Sequence, residues 1–145
     1  MKLVVQRVSQ ASVSVDEKII STIGTGFLIM IGVSIHDDGN QIDWLAKKVS
    51  ELRVFPDEKG KMNLSIKDIG GEVLLVSQFT LYASCQKGRR PDFNNAAKPD
   101  LAEKLYLKFG ESLKLKDVPV KFGEFGAMMQ VKLCNEGPVT IILER

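Results

Sequence analysis

Val73-Leu74-Leu75-Val76-Ser77-Gln78-Phe79 is an apolar run that turns polar at its end, and it reads as a buried strand running out into a loop. A second apolar strand, Phe27 to Ile35, follows the punctuation Gly24-Thr25-Gly26. Between them Ile42, Leu45, Val49 and Leu52 recur at three- and four-residue steps, which predicts a helix. Asp38 or Asn40 stands where a cap belongs, and Asp43, Lys47, Lys48 and Glu51 form the opposite face. Pro56-Asp57-Glu58-Lys59-Gly60 reads as a polar turn. Upstream, Leu3 to Val8 and Ala11 to Val15 read as two strands, and Asp16-Glu17-Lys18 turns the chain into Ile19 to Ile23. Downstream, Ala83 to Ala97 is a long polar loop. Pro99 then opens a second helix with Leu101, Leu105, Phe109 and Leu113 on one face. Three strand-like pieces close the chain: Val118 to Phe122, Met128 to Leu133 and Val139 to Leu143. The pattern predicts a mixed α/β domain, mainly a β scaffold with two amphipathic helices.

The bulk numbers bound the rest. A chain of 145 residues fits one domain, and 44% hydrophobic with 26% charged residues is ordinary for a globular protein. A net charge of +2 advertises no large basic field, although a local patch is enough to hold a few phosphates. Cys85 and Cys134 match no ligand or redox spacing, so a reducing compartment is the simplest reading. Met1 to Arg7 has no apolar signal core, and the run Phe27 to Val33 is far short of a membrane span. A cytoplasmic protein without a membrane partner is expected.

The usual catalytic signatures are missing. His36 is the one histidine, and Asp37-Asp38-Gly39-Asn40 after it marks a solvated turn. No His, Cys and carboxylate set has zinc spacing, so neither a metal nor a cofactor is expected. Gly24-Thr25-Gly26 lacks the ending of a phosphate loop, and Gly123-Glu124-Phe125-Gly126 is only a turn signal.

Two local sequences remain. Ser77-Gln78-Phe79-Thr80-Leu81-Tyr82 places hydroxyls and an amide at a strand end, where they could hold a reacting carbonyl or simply finish the strand with local hydrogen bonds. Asn135-Glu136-Gly137-Pro138-Val139-Thr140 reads by itself as a hairpin turn. Together and in this order they closely resemble the D-aminoacyl-tRNA deacylase family. The family's Ser-Gln-Phe-Thr-Leu motif matches residues 77 to 81 in full, and its Gly-cis-Pro motif matches Gly137-Pro138. Val5-Gln6-Arg7-Val8, Arg89-Arg90-Pro91-Asp92-Phe93 and Gly126-Ala127-Met128-Met129-Gln130-Val131 agree in register, so the resemblance covers residues 1 to 145.

The resemblance implies a small β-barrel-like α/β fold forming one deacylase-like domain. It implies a homodimer with each active site at the subunit interface and the aminoacylated 3′ end of tRNA as partner. One subunit offers Ser77, Gln78, Phe79 and Thr80 as catalytic residues, and the other inserts Gly137 and Pro138 as a substrate-binding filter. Backbone donors around Phe79 and Thr80 stabilise an oxyanion, and the substrate's own 2′-hydroxyl assists water attack; a covalent Thr80 intermediate is the alternative. Phe125 lines the adenosine pocket or belongs to the core. Lys87, Arg89 and Arg90 are candidate phosphate contacts or simply a solvated basic loop, and Arg7 and Met129 are candidate braces of the Gly-Pro turn or ordinary packing and surface charge. A non-catalytic RNA-binding module and a hydrolase of another aminoacyl or peptidyl ester are the competing readings.

Overall fold

In a computed structural model of residues 1–145 the chain opens with one long strand, β1 (Lys2–Val15), where the sequence predicts two. Ser9 and Gln10, the polar break, are both exposed where two steps on β1 answer one on β8. Their cost is a local irregularity in pairing near Val8, not a turn. Asp16 and Glu17 both take positive φ, 47° and 64°, and form the two-residue turn into β2 (Lys18–Ile23). Next, β3 (Gly26–Gly32) stops three residues before the apolar run does. The chain turns there because Asp37 accepts the Ser34 N–H at 2.7 Å and the Met1 ammonium at 2.7 Å.

Helix α1 (Ile42–Glu51) has the predicted face, with Ile42, Leu45 and Val49 buried. Its cap position is Gln41, and no side chain caps it. Asp38 instead accepts the Asn40 N–H at 3.0 Å, holding the turn ahead of the helix. β4 (Phe55–Pro56) and β5 (Met62–Leu64) form a small hairpin around Asp57, which accepts the N–H groups of Lys59 and Lys61. β6 (Glu72–Ser77) leads into a 3₁₀ turn at Phe79–Tyr82. The loop 83–97 follows, then α2 (Pro99–Lys114), with proline in the first turn and Leu105, Phe109 and Leu113 buried. β7 (Val120–Phe122) and β8 (Gln130–Glu144) end the chain.

The main sheet runs β2-β1-β3-β6-β7, with β8 paired to β1. β1 is antiparallel to β2, β3 and β8, while β3–β6 and β6–β7 are parallel. Each parallel pair is joined by a connection containing a helix, as parallel strands require. Ser21 Oγ donates to the Phe122 carbonyl at 2.6 Å and Lys121 Nζ to the Thr22 carbonyl at 2.8 Å. These bonds bring β2 to β7, so the sheet nearly closes into a barrel.

Strand alternation divides the core in two. Phe27, Ile29, Ile31, Val73 and Leu75 pack with α1 and α2 in the larger cluster. Leu28, Leu74 and Val76 face the opposite way, onto Val8, Ala11, Val13 and Ile23. Both faces of β3 and β6 are therefore apolar, which is why each reads as a continuous apolar run. Ser112 Oγ donates to Asp43 at 2.9 Å and pins α2 to α1.

Candidate functional site

β6 ends at Ser77, paired in register with Ile31. The Gln78 N–H still donates to the Ile31 carbonyl at 2.8 Å, and the Gln78 carbonyl then accepts the Leu81 N–H at 3.2 Å, which starts the 3₁₀ turn. Phe79 and Thr80 open that turn, so their N–H groups have no partner within it. Phe79 is 55% exposed and Thr80 is exposed. Gln78 Nε2 donates to Thr80 Oγ1. An amide donor orients that hydroxyl but cannot take its proton, and no histidine or carboxylate bonds to it. Chemically, the turn offers two free N–H donors and an oriented hydroxyl at a rigid strand end.

A cleft of about 440 Å³ adjoins the turn, lined in part by Lys2, Ser34, His36, Leu81, Tyr82 and Cys85. Burial, with Asp37 and Glu144 adding repulsion, pushes the Tyr82 phenol up to about 12, so it stays neutral. His36 is exposed, and its backbone N–H donates to Ser34 Oγ.

Phe125 is half-buried, its ring 5.9 Å from that of Tyr106. Tyr106 Oη donates its one hydrogen to the Leu75 carbonyl at 2.9 Å, shared with the Gly123 carbonyl at 3.3 Å, while the Gly123 N–H donates to the Leu75 carbonyl at 2.9 Å. These bonds fix the 123–126 turn beside β6, two residues before Ser77.

Gly137-Pro138 does not form the hairpin turn that its sequence predicts in isolation. It lies inside β8, a single strand that keeps one direction along β1. Gln6 pairs with Thr140 and Val8 with Asn135, so two steps on β1 answer five on β8. The surplus residues leave the ladder as a bulge, where proline has no N–H to contribute. The Gly137-Pro138 bond is cis, Gly137 has φ +116°, and both residues are exposed. Asn135 Nδ2 closes the base of the bulge, donating to the Val139 carbonyl at 3.1 Å.

Arg7 holds the bulge from below. It is buried, and it pairs with no carboxylate. Its Nε donates to the Glu136 carbonyl at 3.2 Å and its Nη1 to the Val54 carbonyl. The structure thus separates the two candidate braces. Arg7 grips the turn, while Met129 packs on the inner core with its sulfur against Gly123.

Within one chain the two motifs stay apart. Arg7 pairs with Phe27 and Phe27 with Val73, whereas Ser77 pairs with Ile31. The bulge therefore sits four residues below Ser77 and three strands away, roughly 13 Å along the strands and 14 Å across them.

Lys87, Arg89 and Arg90 project from the loop, exposed and free of salt bridges. Reciprocal backbone bonds between Ser84 and Asp92, 2.7 and 2.9 Å, pinch the base of that segment. Phe93, within the motif Arg89 to Phe93, packs edge-to-face on Phe79 with ring centroids 5.0 Å apart. An aromatic residue inside a polar loop was the one signal for it. Both cysteines are free and exposed, no His, Cys, Asp and Glu side chains gather into a metal-holding group, and no helix is long and apolar enough to cross a membrane.

The family model described as D-Tyr-tRNA(Tyr) deacylase matches residues 4–144. A D-aminoacyl-tRNA deacylase of Exiguobacterium sp. (strain ATCC BAA-1283 / AT1b) is 52% identical over 145 residues, 100% of this chain and 99% of the relative. Its counterpart in Clostridioides difficile (strain 630) is 53% identical over 144 residues, covering 99% of this chain and 97% of that one. Among solved structures, the c-Myc DNA Unwinding Element Binding Protein superposes with a TM-score of 0.93 at 44% identity, over 100% of this chain and 99% of that one. The two motifs stand in their expected order on a matching fold, and the chain belongs to the D-aminoacyl-tRNA deacylase family of enzymes.

Proposed function

We propose that this chain is a cytoplasmic homodimer that hydrolyses the ester between a D-amino acid and the terminal ribose of tRNA, releasing D-amino acid and free tRNA. The observation that carries this reading is the separation of the exposed, Arg7-braced Gly137-Pro138 turn from Ser77 to Thr80 of its own chain. A second copy can present its turn where the first cannot.

In this reading the backbone carbonyls of the partner's turn face the substrate's α-amino group. An L side chain would collide with main-chain atoms that cannot swing away, while a D side chain points outward. Rejection by collision discriminates more sharply than attraction alone. Glycine has no side chain to collide, so glycine mischarged on a non-cognate tRNA is also a substrate. Water adds to the ester carbon, and the Phe79 and Thr80 N–H groups hold the developing oxyanion. The C–O bond to the ribose breaks, and the water's proton reaches the leaving ribose oxygen by way of the neighbouring 2′-hydroxyl. Phe125 lines the adenosine site, and Lys87, Arg89 and Arg90 meet phosphates.

The test is deacylation of matched D- and L-aminoacyl-tRNA by the purified protein. Turnover of the D ester with the L ester spared is expected; equal rates, or none, overturn the reading. Binding without turnover would favour a non-catalytic nucleic-acid module, the reading that similarity to a DNA unwinding element binding protein supports.

A further inference from the structure

Two aromatic rings are exposed on the single chain at the proposed catalytic turn, Phe79 within it and Phe93 packed against it. Phe79 is 55% and Phe93 38% exposed, and they pack edge-to-face. Each ring of the pair leaves part of its surface open to a stacking partner. Phe93 is nevertheless held firmly. Asp92 Oδ1 accepts the Asn94 N–H at 2.7 Å, and the Phe93 carbonyl accepts the Ala96 N–H at 2.9 Å. The Asn95 carbonyl and the Ala97 N–H then tie the segment to Ile35 and Val33. The ordered backbone thus holds in place an aromatic side chain that is still more than a third exposed.

The surroundings say what suits it. Residues 85–91 carry Lys87, Arg89 and Arg90 and no acidic side chain, and the carboxylate of Asp92 that follows is engaged by Asn94. Exposed aromatic rings followed along the chain by cations free of salt bridges suit single-stranded nucleic acid, where bases stack and phosphates follow the charge.

We infer that Phe93, seated on Phe79, is a stacking platform for the nucleobase preceding the terminal adenosine of the substrate, with the Lys87–Arg90 segment holding the adjoining phosphates. The inference rests on the ester-hydrolase reading and adds a subsite to it. Phe93 acts there as a binding and positioning residue, not on the reacting atoms.

The experiment compares two substrates, a D-aminoacyl ester of adenosine and the same ester on the CCA trinucleotide. For the wild type the trinucleotide has the higher kcat/KM. In Phe93→Ala the ratio of the two values falls about tenfold, through KM, and Phe93→Trp restores it. Binding of uncharged CCA oligonucleotide weakens in parallel, a readout independent of hydrolysis. An unchanged ratio in Phe93→Ala overturns the platform, as does a loss equal on both substrates. A change in the protein's assembly mass on the same substitution also overturns it, because the ring would then serve a contact between copies of the chain. Wild-type protein that hydrolyses neither ester overturns the deacylase reading itself, and the platform with it.

Discussion

The guanidinium of Arg7 occupies the space that a side chain on residue 137 would need. A Cβ built on Gly137 lies 2.9 Å from Arg7 Nη2 and 3.0 Å from Val139 Cγ2, at a φ of +116° that L side chains rarely adopt. The absent side chain and the buried cation thus define one another: the turn can rest on Arg7 because residue 137 is glycine.

Gly137→Ala is therefore expected to displace the turn. The strain costs on the order of 1–3 kcal/mol, relieved in part by movement into solvent. Hydrolysis of D-aminoacyl-tRNA should fall by about 10²-fold, the cost of a small misplacement at a reacting centre. Single-turnover kinetics beside a denaturant melt checks both. A variant with wild-type rate would remove Gly137 from the site.

Arg7→Lys keeps the charge and loses the fork. A lysine cannot reach the Glu136 and Val54 carbonyls together, and a buried carbonyl left unpaired costs about 1–3 kcal/mol. Lower stability is expected, together with a narrower ratio between D- and L-ester hydrolysis as the turn loosens. Lost stability with an unchanged ratio would make Arg7 a purely structural residue.

Thr80→Ala removes the hydroxyl that Gln78 orients, but no activated nucleophile, because nothing beside Thr80 accepts its proton. Measurable activity should remain, and mass spectrometry should trap no aminoacyl adduct on the wild type. The complementary substrate ends in a 2′-deoxyribose. It is expected to bind and to react about 10² times more slowly, within the range of one lost proton-transfer group. An adduct on Thr80, or full rate on the deoxy substrate, would move the chemistry onto the protein.

Burial raises the Tyr106 phenol above its ordinary value of 10, and Tyr82 is raised to about 12. A group whose folded pKa is raised stabilises fully below its unfolded value and loses that contribution as pH climbs toward the folded one. The fold should therefore weaken above pH 10. Tyr106→Phe should lower Tm at neutral pH by the loss of its bonds to Leu75 and Gly123, yet show a shallower decline between pH 9 and 11. Parallel declines would mean that the phenol is not what titrates.

The sequence by itself determined the elements buried on both sides. β3 and β6 are apolar on each face because the helices cover one and the barrel interior the other, and the faces of α1 and α2 follow from spacing alone. It also located the strand exit at Ser77 and, through resemblance, the order of the two motifs. What it missed was non-local. Ser9-Gln10 reads as a break and Gly137-Pro138 as a hairpin, since local polarity and turn residues cannot reveal a long partner strand that carries the chain through. Asp38 and Asn40 read as caps, but their side chains serve the preceding turn. Arg7 could be read as a surface charge or as a brace; only the fold decided, bringing two carbonyls from residues 54 and 136 onto one guanidinium. Phe79 and Phe93 lie fourteen positions apart in sequence, and no local pattern pairs them. Periodicity reports which side of an element is buried. Which distant atoms meet there is fixed by register and crossover, and those depend on the whole sheet.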